Sequence, residues 1–214
     1  MKVLKTLKTL HNNIISLLEF SPEKPEKTVL IIGVFHGDEP EGEFLINEYL
    51  KNIEEKEIKN RLLIIPCLNP DGKALKTRQN ANKIDLNRNF PTKNWAKTED
   101  EQYFGGEKAN SEIETQFVVD VIENNQLDAI LTLHTPYKIV NYDGLAKDLA
   151  EKISKMTGYP VEEDIGYPTP GSFGTYAGKE RNIPTITLEL ADDENFSTLW
   201  NKNKEIFHFL TQIY

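Results

Sequence analysis

Residues 28–34, Thr-Val-Leu-Ile-Ile-Gly-Val, form an unbroken apolar run rich in β-branched side chains. Successive side chains of a strand point to opposite faces, so a strand of this composition keeps no face for water and must be covered on both sides. Runs of the same character lie at 61–67, 129–135 and 185–190, with helix-type segments between them. Strands alternating with helices predict an α/β fold, a mixed and mostly parallel sheet flanked by helices on both faces. The helices are expected at 42–54, 111–124, 145–157 and 195–214. The second opens on Ser111-Glu-Ile-Glu114, the pattern of a capping box. The last carries Leu199, Ile206, Phe207, Leu210 and Ile213 near helical spacing, so its aromatics are expected in the core. With 214 residues, 38% of them hydrophobic, and no linker-like tract, a single domain over residues 1–214 is expected.

The carboxyl edge of an open α/β sheet is where ligands bind. Run 28–34 leads directly into His36-Gly-Asp-Glu39, and run 129–135 carries His134 next to its end. Taken singly, these are a turn histidine, a solvated acid and a satisfied core histidine. Together, two imidazoles and a carboxylate make the His2Glu set of a catalytic zinc with a fourth position open. Run 183–190 alternates apolar groups yet holds Glu189 where a core residue is expected. Beside an activated water such a carboxylate can take a proton and hand it to a leaving amine; the competing reading is a simple edge-strand acid.

Residues 69–110 lack apolar periodicity, and so long a loop in a compact domain is usually functional. It contains Asn69-Pro-Asp-Gly72 and, within 77–91, Arg78, Asn87 and Arg88. Two guanidiniums beside a metal can divide the work between a developing oxyanion and a substrate carboxylate. A solvated turn is the alternative.

The order and spacing of these blocks resemble the M14 family of zinc carboxypeptidases over nearly the whole chain. The resemblance rests on His36-Gly-Asp-Glu39, Asn69-Pro-Asp-Gly72, Asp85-Leu-Asn-Arg-Asn-Phe-Pro91, His134 and Glu189. Within the family, Arg78-Gln-Asn-Ala-Asn82, Ser111-Glu-Ile-Glu-Thr-Gln116 and Gly166-Tyr-Pro-Thr-Pro-Gly-Ser-Phe-Gly174 are most similar to the branch of murein peptide amidases. The resemblance implies one zinc ion per chain on His36, Glu39 and His134, with Glu189 as general base and then acid. It implies further that Arg78 polarises the scissile carbonyl, that Asn87 and Arg88 hold a terminal carboxylate, and that Asp85 orients His36. A tyrosine that closes over the substrate is expected at Tyr167, or else Tyr176, with Thr169 and Ser172 also binding substrate. The implied substrate is a small muropeptide, cut between γ-D-glutamate and meso-diaminopimelate during peptidoglycan recycling. Lys83-Ile84 replace the usual Gly-Val before Asp85, and the chain is short for the family, so that lost peripheral loops are expected to leave a more open cleft. Two other readings stand beside this one: an N-acyl amino acid deacylase of the aspartoacylase or succinylglutamate desuccinylase type, and a non-catalytic domain that binds peptidoglycan peptides.

A formal charge of -9, from 25 basic and 34 acidic residues, opposes nucleic-acid binding, which needs a basic footprint. The one cysteine, Cys67, lies in an apolar run and is expected to be a buried hydrophobe, so no disulfide framework is available. Lysines interrupt residues 1–10, which lack the apolar stretch of a signal peptide. A cytoplasmic protein without membrane insertion is expected; the oligomeric state is left open.

Overall fold

The apolar runs become the middle of one eight-stranded sheet in a computed structural model that describes residues 1–53 and 58–212. In chain order the strands are β1 (Lys2–Lys8), β2 (Ile14–Phe20), β3 (Thr28–Gly33), β4 (Arg61–Ile65), β5 (Ala129–His134), β6 (Ile139–Asp143), β7 (Val161–Glu162) and β8 (Thr185–Glu189). Their order across the sheet is β1-β2-β4-β3-β5-β8-β6-β7. The four central strands, β4, β3, β5 and β8, run parallel. Antiparallel β2 and β6 extend the sheet on either side, and β1 and β7 form its edges.

Helices α1 (Glu41–Asn52), α4 (Lys147–Thr157) and α5 (Phe196–Gln212) cover one face, and α3 (Ile113–Glu123) the other. Alternation along the central strands feeds both cores. Val29 and Ile31 pack with Leu62, Leu131, Tyr49 and Phe207, while Leu30 and Ile32 pack with Leu63, Ile130, Phe117 and Phe90. That two-sided burial explains the unbroken apolar runs. Truncating Ile31 to Ala would cost about 2–5 kcal/mol, from lost transfer energy and the cavity left behind.

The four expected strands and helices form, with ends trimmed by one or two residues in most cases. Glu54, Ile213 and Tyr214, at the expected helix ends, lie outside the described residues. The capping box does not form. Helix α3 starts at Ile113 with Glu112 at its N-cap and no side-chain cap. The groups of the box are engaged elsewhere: Ser111 Oγ accepts from Asn89 Nδ2 (2.9 Å) and donates to Glu112 Oε1 (2.7 Å), and Glu114 Oε2 accepts from Asn80 Nδ2 (3.3 Å). The stretch expected as a long loop contains a short helix, α2 (Pro70–Leu75), and 3-10 turns at Leu86–Arg88 and Glu101–Tyr103. Cys67 is buried as expected, and burial pushes its thiol up to about 12. Among the described residues no helix is long and apolar enough to cross a membrane.

Candidate metal centre and its cleft

After β3 the chain turns through Val34, whose φ of +54° lies in the left-handed region that a β-branched residue rarely adopts. Such a conformation costs about 1–3 kcal/mol and persists only where neighbours enforce it. Here Leu68 N–H donates to Gly33 O and Asn69 N–H to Val34 O, both at 3.0 Å. The turn buries Phe35 and carries His36 over the sheet edge. Gly37 then lies against the start of α2, where an added Cβ would stand 2.0 Å from the Gly72 carbonyl carbon. Asn69 caps α2 by accepting from Gly72 N–H (2.9 Å) and donates to Phe35 O (3.2 Å). Buried Asp71 accepts from Thr9 Oγ1 (2.6 Å), Asn13 Nδ2 (2.8 Å) and His11 N–H (3.1 Å), which ties the β1–β2 hairpin to the same helix. The Asn69-Pro-Asp-Gly72 block is therefore the buttress of the His36 turn.

His36, Glu39 and His134 are all buried, and their donor atoms lie within 4.8 Å of one another. Glu39 sits between the two rings: Oε1 is 2.7 Å from His36 Nδ1, and Oε2 is 3.0 Å from His134 Nδ1. Thr135 N–H also donates to Oε2 (3.3 Å). On its far side His36 Nε2 lies 3.2 Å from Asp85 Oδ1. A proton on Nε2 is held there by Asp85, which leaves Nδ1 for the cluster. Burial alone would lower the pKa of His36, but the charges of Glu39 and Asp85 override it and raise the ring to about 9. His134 is lowered by burial in spite of Glu39. Burial works against the charged forms of Glu39 and Asp85 too, yet His36 holds both well below the usual carboxylate range. Two imidazole nitrogens and an ionised carboxylate converging in a buried pocket fit a zinc ion in donor type and number.

The register of β5 and β8 sets His134 directly beside Glu189. Glu189 is 8% exposed, and its Oε2 is buried with no hydrogen-bond partner. Burial, then the charge of Glu39, pushes its pKa up to about 8. Arg78 reaches the cluster from the loop: Nε donates to Asp85 Oδ2 (3.1 Å), and Nη1 is 3.7 Å from Glu39 Oε1. Asp85 caps the turn that presents the next two residues by accepting from Asn87 N–H (2.8 Å). Asn87 Oδ1 accepts from Phe173 N–H (2.9 Å), and Arg88 Nη1 donates to Asn87 O (2.8 Å). Arg88 is 6% exposed, so it is not part of a solvated turn.

One cleft of about 1210 Å³ gathers His36, Glu39, His134, Glu189, Arg78, Asn87 and Arg88 along its wall, together with Tyr167, Thr169 and Ser172. Asp85 stands behind that wall. Tyr167 is exposed at the cleft, whereas Tyr176 is fully buried in the core with Arg181 stacked over its ring at 3.4 Å. Ser172 Oγ donates to Thr175 Oγ1 (3.0 Å) and accepts from Thr175 N–H (3.2 Å), so it also starts the π-helical turn Thr175–Lys179. Sequence reasoning missed Tyr103. Its ring lies 5.3 Å from the Arg78 guanidinium carbon and 5.4 Å from that of Arg88, a spacing at which the aromatic face attracts both cations. An isolated aromatic in a polar loop was the only signal available.

The zinc carboxypeptidase family profile matches residues 1–212. Murein peptide amidase A of Vibrio campbellii is 34% identical over 173 residues, covering 75% of this chain and 68% of that protein. The Escherichia coli protein of the same name is 31% identical over 181 residues, covering 79% and 73%. The crystal structure of murein-tripeptide amidase from Escherichia coli O157 aligns with a TM-score of 0.85 at 26% identity, covering 97% of this chain and 90% of that one. Carboxypeptidase A from Helicoverpa armigera shares the fold, with a TM-score of 0.77 at 18% identity, covering 97% and 67%. By the profile match across almost its whole length, and by these relatives, the chain belongs to the M14 family of zinc carboxypeptidases and is a hydrolase.

Proposed function

We propose that this protein is a zinc-dependent amidase that cleaves the bond between γ-D-glutamate and meso-diaminopimelate in murein tripeptide, as part of peptidoglycan recycling. Residues 1–214 act as one catalytic domain in this reading. The observation that carries it is buried Glu189, whose Oε2 has no hydrogen-bond partner, beside the His36, Glu39 and His134 cluster, in a cleft that also holds two arginines. Relatives named murein peptide amidase A supply the substrate class.

His36, Glu39 and His134 would hold the zinc ion. When bound, zinc supplies Lewis acidity, which makes a water nucleophilic near neutral pH and polarises a carbonyl. Glu189 takes a proton from the attacking water as that oxygen bonds to the carbonyl carbon. It then delivers the proton to the amide nitrogen as the carbon–nitrogen bond breaks, so the amine leaves neutral. Arg78 donates hydrogen bonds to the oxygen that gains negative charge. Arg88 and Asn87 hold the free carboxylate of the departing residue, Arg88 through charge-assisted hydrogen bonds. Tyr167, Thr169 and Ser172 bound the substrate on the other side. The net charge of -9 opposes an anionic peptide, and the two arginines and the metal offset that repulsion locally. A cytoplasmic location is supported by the single buried thiol.

Mass spectrometry of products from the zinc-loaded protein tests the reading. L-Ala-γ-D-Glu-meso-diaminopimelate should yield L-Ala-D-Glu and free diaminopimelate. Turnover of N-succinylglutamate in its place would assign the chain to the deacylases, and binding without turnover would make it a peptide-binding domain.

A further inference from the structure

Asp143 and Lys179 form an ion pair of 3.2 Å on the wall of the same cleft, and no step of the reaction above uses them. Strand β6 runs antiparallel to β8 with Ile139 opposite Glu189, Asn141 opposite Thr187 and Asp143 opposite Thr185. Asp143 therefore lies four residues along the strand from the level of Glu189, about 14 Å at the usual rise. Asn141 and Thr187 line the cleft between the two levels.

This corner of the cleft is built around the Asp143 carboxylate. A Cβ added at Gly174 would fall 1.9 Å from Asp143 Oδ2, and one at Gly178 would fall 2.4 Å from Asp143 Cβ. Both glycines flank or belong to the π-helical turn Thr175–Lys179, a rare geometry that recurs at functional sites, and Lys179 ends that turn. The Asp143 side chain is 12% exposed and that of Lys179 is 56% exposed, so the acid is sunk in the wall and the ammonium faces the opening. An ion pair with one partner this exposed adds only about 0–1 kcal/mol to stability, which does not account for two glycines and a π turn shaped around it. Glu163 and Asp164 line the same end of the cleft and favour an ammonium there, and Lys179 supplies a cation.

We propose that Asp143 and Lys179 bind the far end of the leaving residue's side chain, and that this end carries both an ammonium and a carboxylate. Asp143 takes the ammonium and Lys179 the carboxylate, so that the pair in the wall meets an oppositely ordered pair in the ligand. A diamino diacid has such an end, lysine has only the ammonium, and norleucine has neither. The assignment rests on the amidase reading and names which residues choose the substrate within it.

The test compares kcat/KM of the zinc-loaded enzyme on L-Ala-γ-D-Glu-X tripeptides with X as meso-diaminopimelate, lysine or norleucine. Ratios between substrates cancel any general loss of activity or folding in a variant. The parent should prefer diaminopimelate over lysine and lysine over norleucine. K179M should lower the diaminopimelate-to-lysine ratio, and D143N the lysine-to-norleucine ratio, each by about tenfold or more, as for a lost hydrogen bond between charged groups. Unchanged ratios in both variants would overturn the assignment and leave the amidase reading standing. Turnover of none of the three peptides by the parent would remove both.

Discussion

His134 and Glu189 are register partners on adjacent parallel strands, so the sheet itself holds the second imidazole of the cluster beside a buried carboxylate whose Oε2 lacks a hydrogen-bond partner. If Glu189 moves the proton and the cluster holds the metal, E189Q separates the two roles. Zinc content measured by mass spectrometry should stay at that of the parent, while kcat falls by about 10²–10⁴. A variant as active as the parent would show that another group is the base.

Asp85 contacts His36 Nε2 at 3.2 Å from outside the cleft and also binds Arg78. Substituting D85N removes the charge that fixes the imidazole proton on Nε2. Zinc affinity, read by competition with a chromophoric chelator, should weaken about 10- to 100-fold, as for other groups that support metal-bound histidines. Unaltered affinity would mean that the ring is oriented by its packing alone.

The metal-free protein should lose stability as pH rises. His36 has its pKa raised from 6.5 to about 9 in the folded chain. Its proton therefore stabilises the fold fully below about pH 6.5, and the contribution disappears as pH climbs through about 9. Urea midpoints of the metal-free protein should fall across that window, and the slope should be smaller in H36N. Zinc affinity should rise over the same window, because the proton must leave Nδ1 before the metal binds. A flat urea profile would contradict the charged imidazole.

Gly37 leaves no room for a methyl group, since the obstacle 2.0 Å away is the backbone of Gly72. G37A should destabilise the protein by about 1–3 kcal/mol, read as a lower urea midpoint, and weaken zinc binding by shifting the His36 turn off α2. Normal stability and normal zinc affinity together would show that this contact is soft.

The central strands were legible because covering a parallel sheet on both faces leaves continuous apolar runs, and strand ends pointed to His36, His134 and Glu189. Strand β1 was not legible: most of its residues are exposed, and its lysines mask the alternation that pairs it with β2. The capping box failed because Asn89 engages the Ser111 hydroxyl and Asn80 the Glu114 carboxylate, and their approach is a tertiary event. The same reason hides Tyr103 and the Asp143–Lys179 pair, whose partners are distant in sequence and meet only through the sheet and the loop packed on it. Motif order could suggest Asp85 behind His36, but only the fold shows Arg78 sharing that carboxylate.

Diffraction from zinc-soaked crystals at the zinc absorption edge tests the centre most directly. The expected result is one anomalous peak per chain within about 2.0–2.2 Å of His36 Nδ1, a Glu39 carboxylate oxygen and His134 Nδ1. A peak elsewhere, or one that leaves His134 outside the coordination sphere, would contradict the assignment of the metal centre and of Glu189 beside it.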